Sequence, residues 1–113
     1  LRDMVKLGQL YNQNGYASLN NQIVSSEWIN KATSNYIQTG WSYYGFNNLD
    51  GYGYLWWIPQ EGYLAYGYGG QFIAVFPERD LVIGTHSETF SETAYQIELL
   101  NIIYNQIAPL FNN

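Results

Sequence analysis

The chain has 113 residues and a formal net charge of −5, with 19% aromatic residues, 12% charged residues and no cysteine. This length fits one domain, and the lack of cysteine excludes disulfides and thiolate metal sites. Because the 4 basic residues are scattered and no apolar run approaches the ~20 residues of a membrane-spanning helix, we expect neither a nucleic-acid partner nor a transmembrane segment.

Two helices are predicted near the start of the chain. Apolar residues recur at helical spacing over residues 1–14, and Asn14-Gly15 supplies a turn that ends the helix. Ser25 is a typical N-cap for a second, short helix over residues 25–32. The first helix begins directly on an apolar position, with no capping residue before it. We therefore expect the first residue of this sequence to be a cut within a longer chain.

The middle of the chain predicts an antiparallel meander. Residues 36–60 alternate aromatic residues with Gly, Asn and Ser, which is typical of a loop, and end in a strand over residues 52–58. Turn residues then follow at 59–62 and at 77–80. The strands predicted around these turns cover residues 63–66, 71–76 and 81–85. A last helix is predicted over residues 91–108, capped by Ser91, stopped by Pro109 and packed on the sheet.

A glycine-rich turn precedes the most apolar of these strands. Gly67, Gly69 and Gly70 leave three nearby positions without a Cβ atom, and residues 72–76 have no polar side chain. The glycines either permit another chain or a ligand to approach the backbone amides, or only form a bulge or tight bend. The spacing alone does not choose between these two interpretations.

The same strands raise a packing question. Residues 72–76 and 81–83 place apolar side chains on both faces of the sheet, and the last helix can cover only one of them. We expect a segment from outside this chain to cover the other face, since soluble monomers rarely expose so large an apolar surface.

Five short motifs, in this order, resemble the C-terminal part of the β-lactamase-related serine hydrolases. They are LGQLY at 7–11, IVSSEWI at 23–29, YGYLWW at 52–57, GGQFIAVFP at 69–77 and DLVI at 80–83. That family includes class C β-lactamases, penicillin-binding peptidases, esterases and nylon-oligomer hydrolases. The resemblance implies an α+β fold with an antiparallel sheet flanked by helices. Residues 1–50 would end its helical part, and residues 51–113 would supply sheet strands and the C-terminal helix.

The resemblance also implies a mechanism whose nucleophile is absent here. The family uses a Ser-x-x-Lys pair, a Tyr or second Ser as base, and a third motif on a strand, often Lys-Thr-Gly. No Ser-x-x-Lys occurs, because Asp3 precedes Lys6 by three residues and Trp28 precedes Lys31 by three. We expect the nucleophile in the missing N-terminal part of the same protein. Tyr66 stands where the third motif begins with a cation in β-lactamases, which argues against β-lactam substrates.

By the same resemblance, the glycine turn supplies part of an oxyanion hole. The esterase and nylon-oligomer hydrolase branch has an Ala-x-Gly-x-x-Gly-Gln pattern that matches residues 65–71 and assigns the donor amide to Tyr68. The residues expected to contact the substrate are Tyr66, Gly67, Gly69 and Gln71. The implied substrate is a small acyl ester or amide, and no cofactor is expected.

Other residues suggest alternatives. The single histidine, His86, has no second imidazole or carboxylate cluster beside it in the sequence, so no metal site is predicted. Five aromatic residues could stack on sugar rings, line an acyl pocket or belong to the core. They are Trp41, Tyr43, Tyr44, Trp56 and Trp57. A carbohydrate-binding module without catalysis is therefore the alternative function, and the Tyr, Asn, Gln and Ser content favours an extracytoplasmic location.

Overall fold

The computed structural model describes residues 1–38, 49, 51–88 and 93–112. The helices of this part are α1 (Arg2–Asn12), α2 (Ser26–Ala32) and α3 (Thr93–Asn101). The strands are β1 (Tyr16–Ser18), β2 (Asn21–Gln22), β3 (Ile37–Gln38), β4 (Gly51–Tyr52), β5 (Trp57–Ile58), β6 (Tyr63–Gly67), β7 (Gln71–Phe76) and β8 (Leu81–Thr85). The predicted α+β class, with an antiparallel sheet and helices, is confirmed.

The main sheet is a meander in which each strand pairs with the next. Its order is β3-β4-β5-β6-β7-β8, and every neighbouring pair is antiparallel. The longest pairings flank β7, which runs from Gln71↔Gly67 to Tyr63↔Val75 on one side and from Phe72↔Thr85 to Phe76↔Leu81 on the other. The predicted strand over residues 71–76 is therefore confirmed as the centre of the longest ladder.

Alternate residues of β7 enter two hydrophobic cores on opposite faces. Phe72, Ala74 and Phe76 pack in the core that contains the C-terminal helical segment. Ile73 and Val75 pack in a second core, together with residues of α1. Because side chains alternate across a strand, both faces of β7 are buried within the chain.

The second face is covered by α1, which corrects one prediction. Gly8 of α1 lies so close to the sheet that an added Cβ would be 2.6 Å from Val82 Cγ1 and 2.7 Å from Ile73 Cγ2. Gly84 of β8 approaches Val5 in the same way. The expectation that a segment from outside the chain must cover this face is wrong over β7 and β8, because two glycines let the helix pack directly on the strands.

The predicted strand over residues 52–58 is also wrong. Residues 51–52 and 57–58 form two separate strands, β4 and β5, which pair with each other as Gly51↔Ile58 and Tyr52↔Trp57. The chain reverses between them because Gly53 donates to the Trp56 carbonyl at 2.7 Å and Leu55 adopts a positive φ of 68°. An added Cβ at Gly53 would lie 2.2 Å from the Ala32 carbonyl oxygen, so the turn packs tightly on the end of α2.

The helix ends agree with part of the sequence analysis. The Trp28 amide donates to Ser25 Oγ at 3.0 Å, which confirms the predicted cap of α2. Gly15 has a φ of 87° and donates to the Leu10 carbonyl, which ends α1 as predicted. The hairpin formed by β1 and β2 was not predicted, because these exposed strands have no apolar alternation.

The last helical segment is less regular than predicted. After α3 the chain continues as a π-helix, Ile102–Ile107, and then as a 3-10 turn, Ala108–Leu110. Pro109 lies inside that turn and does not stop the segment, because an early position in a helical turn needs no N–H donor. The segment packs on the sheet as predicted. The cap proposed at Ser91 falls outside the described residues.

Candidate functional site

The glycine turn closes the hairpin between β6 and β7. Gly67 pairs with Gln71, and Tyr68, Gly69 and Gly70 form the loop between them. Gly69 and Gly70 have φ values of 81° and 89°, in the left-handed region where glycine is strongly preferred. The tight-bend interpretation is therefore confirmed for these two glycines, while the approach of a ligand to the turn stays a prediction.

Two hydroxyl groups from the end of β8 bind the carbonyl groups of this turn. Thr85 Oγ1 donates to the Gly70 carbonyl at 2.9 Å and accepts from the Phe72 amide at 3.1 Å. Ser87 Oγ lies 2.8 Å from the Gly69 carbonyl and 3.1 Å from the Gly70 carbonyl. Both glycines are buried, so these hydroxyls replace the water that an exposed turn would bind.

Gln71 is bonded to the same neighbouring segment. Its side-chain Nε2 donates to the Ser87 carbonyl, and its Oε1 accepts from the Ser87 amide at 3.2 Å. The carboxamide thus pairs with Ser87 in both directions, as a peptide group does in a β-ladder. These contacts bind the Gln71 side chain within the protein, next to the turn. Its predicted contact with a substrate stays a prediction.

Tyr66 lies on the face of the sheet that the C-terminal helix covers. Its hydroxyl donates to Gln96 Oε1 at 2.5 Å, and its ring contacts the ring of Phe72 edge to face with centroids 4.8 Å apart. The Tyr66 side chain is therefore half-buried against α3. The predicted contact of Tyr66 with a substrate stays a prediction.

Tyr68 lies at the tip of the turn and is 76% exposed. None of the described residues accepts a hydrogen bond from its backbone amide. An amide without an internal acceptor, on an exposed turn, can donate to a bound ligand. The predicted role of this amide as an oxyanion donor stays a prediction.

Gly67 is constrained by its partner across the hairpin. An added Cβ would be 3.1 Å from both Gln71 Cβ and the Gln71 carbonyl oxygen. This spacing is tighter than ordinary van der Waals contact, so a side chain at position 67 would displace Gln71 before it met any ligand. The structure thus supplies a reason for glycine here beyond the predicted contact with a substrate.

The sequence analysis missed three residues of this site, namely Thr85, Ser87 and Gln96. A signal for the first two was present, because they are two residues apart at the end of a predicted strand. That spacing places two hydroxyl groups on one side of the strand that follows the glycine hairpin. Gln96 gave no signal, since its approach to Tyr66 depends on how the last helix packs.

One groove of about 410 Å³ runs between α1 and the β1–β2 hairpin. It is lined by Lys6, Leu7, Gln9, Leu10, Gln13, Tyr16, Ala17 and Ile23. This lining includes no Ser, Thr, His, Asp or Glu, the side chains that most often supply a nucleophile or a general base, so we do not place the chemistry there.

Within the described part of the chain, no group of three His, Asp or Glu side chains is arranged to hold a metal ion. His86, the single histidine, is exposed. Among the same residues, no helix has the length and apolar character to cross a membrane. Models of known protein families and curated protein sequences were both searched, and neither search found a match to this chain.

Proposed function

We propose that this chain is the oxyanion-side part of a serine hydrolase that acts on small acyl esters or amides through an acyl-enzyme. The observation that carries the proposal is the Tyr68 amide, which has no acceptor among the described residues and lies on a turn anchored from β8. A backbone donor aimed at the developing oxyanion contributes about 3 kcal/mol or more to acyl transfer. The order of the five family motifs supports the same function.

In this proposal the nucleophile and the general base come from an N-terminal segment of the same protein. Strand β8, at one edge of the sheet, offers a place for that segment to pair. Among the described residues β8 pairs only with β7, and β8 contains neither proline nor lysine to discourage further pairing. Its half-buried residues Leu81, Val82 and Ile83 are suited to continue the sheet.

The test uses the complete protein that carries this chain and the proposed segment. We expect it to hydrolyse a p-nitrophenyl ester and to be labelled by a fluorophosphonate probe on a serine upstream of residue 1. Residues 1–113 alone should show neither reaction, because they contain no Ser-x-x-Lys. Turnover by residues 1–113 alone, or a complete protein without turnover and labelling, would contradict the proposal.

A glycan-binding function has one observation in its favour. Trp28, Tyr54 and Tyr36 form a row of exposed rings, with centroids 5.5 Å and 4.9 Å apart. Aromatic platforms of this kind bind the CH faces of sugars. Two residues first considered for this role do not fit it, because Trp56 is buried and Trp57 is half-buried against the core. Trp41, Tyr43 and Tyr44 lie outside the described residues.

Titration of the Trp fluorescence with soluble oligosaccharides separates the two functions. A saturable change that Trp28→Ala abolishes would favour glycan binding. A flat titration together with ester hydrolysis would favour the hydrolase.

A further inference from the structure

Ser87 contacts the glycine turn through its amide, its carbonyl and its hydroxyl. The backbone groups pair with the Gln71 carboxamide, and the hydroxyl lies within 3.1 Å of the carbonyls of Gly69 and Gly70. Ser87 follows β8 by two residues and is half-buried. One residue just beyond the neighbouring strand thus contacts two carbonyl groups of the turn and the Gln71 side chain.

The register of the sheet explains why a side chain takes part. Phe72 pairs with Thr85, so an unbroken ladder would place Gly70 opposite Ser87. Gly70 has a φ of 89° and cannot present its backbone as a strand residue does. The Ser87 backbone therefore pairs with the Gln71 carboxamide and not with the Gly70 backbone.

The turn needs such an anchor because its own residues restrict it little. Two consecutive glycines have more conformational freedom than any other pair of residues. Electrostatic stabilisation of a transition state, by contrast, requires a donor that is already oriented before the charge develops. A glycine turn can meet that requirement only if contacts from outside fix it.

We propose that Ser87 and Gln71 are positioning residues, which hold the turn in the conformation that presents the Tyr68 amide to the acyl group. The proposal rests on the proposed hydrolase function. Neither side chain needs to contact the substrate, because both act through the carbonyl groups and the strand pairing of the turn.

The test compares variants of the complete protein. Ser87→Ala removes the hydroxyl, Gln71→Met removes the paired amide at similar length, and Ser87→Thr keeps a hydroxyl. Ser34→Ala is the matched control, because Ser34 also donates from its hydroxyl to a backbone carbonyl, that of Asn30, but on the exposed end of α2. The readouts are kcat and KM with a p-nitrophenyl ester, and amide hydrogen exchange at residues 67–71.

We expect Ser87→Ala and Gln71→Met to lower kcat on the order of tenfold, with KM within about twofold, because a small displacement of an oriented group mainly affects the transition state. Exchange at residues 67–71 should become faster in both variants. Ser87→Thr should restore most of the activity, and Ser34→Ala should match the wild type. If Ser87→Ala does not fold, Gln71→Met tests the same anchor.

The two proposals fail in different ways. Unchanged kcat and unchanged exchange in both variants, in a protein that Tyr68→Pro inactivates, would overturn the positioning role alone. A wild-type protein without turnover would overturn the hydrolase function. In that case, unchanged exchange in Ser87→Ala and Gln71→Met would overturn the anchoring of the turn as well.

Discussion

Replacing Gly8 by alanine tests the contact through which α1 covers the sheet. The new methyl group would lie 2.6 Å from Val82 Cγ1 and 2.7 Å from Ile73 Cγ2. Both neighbours are branched at Cβ and have few alternative rotamers, so the helix or the strands must move. Overpacking of this kind costs about 1–3 kcal/mol, whereas alanine gains about 0.5–1 kcal/mol over glycine inside a helix. We expect a net loss of about 1 kcal/mol in the free energy of unfolding.

Urea unfolding of the complete protein, followed by circular dichroism, measures this loss. Gln9→Ala is the control, because Gln9 is the next residue of α1 and is exposed. It should change the free energy of unfolding by no more than about 0.5 kcal/mol. If Gly8→Ala is as stable as Gln9→Ala, then α1 does not pack on β7 and β8 as described.

Two further predictions concern β8 and β6. Thr85→Val removes the hydroxyl that binds the Phe72 amide and the Gly70 carbonyl, and should cost about 1–3 kcal/mol in urea unfolding; equal stability of Thr85→Val and Thr85→Ser would contradict this role. Burial, with a smaller contribution from Tyr11, raises the pKa of Tyr63 from 10.0 to about 12. The unfolded chain therefore releases this proton first, so stability is complete below about pH 10 and falls toward pH 12. Tyr63→Phe should weaken that fall, and an unchanged pH dependence would refute the assignment.

The sequence predicted the fold where local signals were strong. The Ser25 cap, the left-handed Gly15 and the central strand over residues 71–76 all depend on chemistry within a few residues. The covering of the second face could not be predicted in the same way. It depends on the close approach of Gly8 to Ile73 and Val82, which are distant in sequence.

The wrong prediction of one strand over residues 52–58 has a similar cause. Residues 52–58 are apolar and aromatic enough for one strand, but the Ala32 carbonyl accepts from the Tyr54 amide at 2.9 Å and the chain turns there. At the site, the glycine turn was visible in the sequence, whereas its anchoring depends on the register that places Thr85 and Ser87 beside it.

The central claim is that the Tyr68 backbone amide stabilises an oxyanion, and one comparison tests it directly. Tyr68→Phe keeps the amide, and Tyr68→Pro removes it. In the complete protein, with a small p-nitrophenyl ester, we expect Tyr68→Phe to retain nearly the wild-type kcat. Tyr68→Pro should lose on the order of 10²- to 10³-fold in kcat while keeping its folded circular dichroism spectrum. A folded Tyr68→Pro variant with wild-type kcat, or an inactive Tyr68→Phe variant, would contradict the claim.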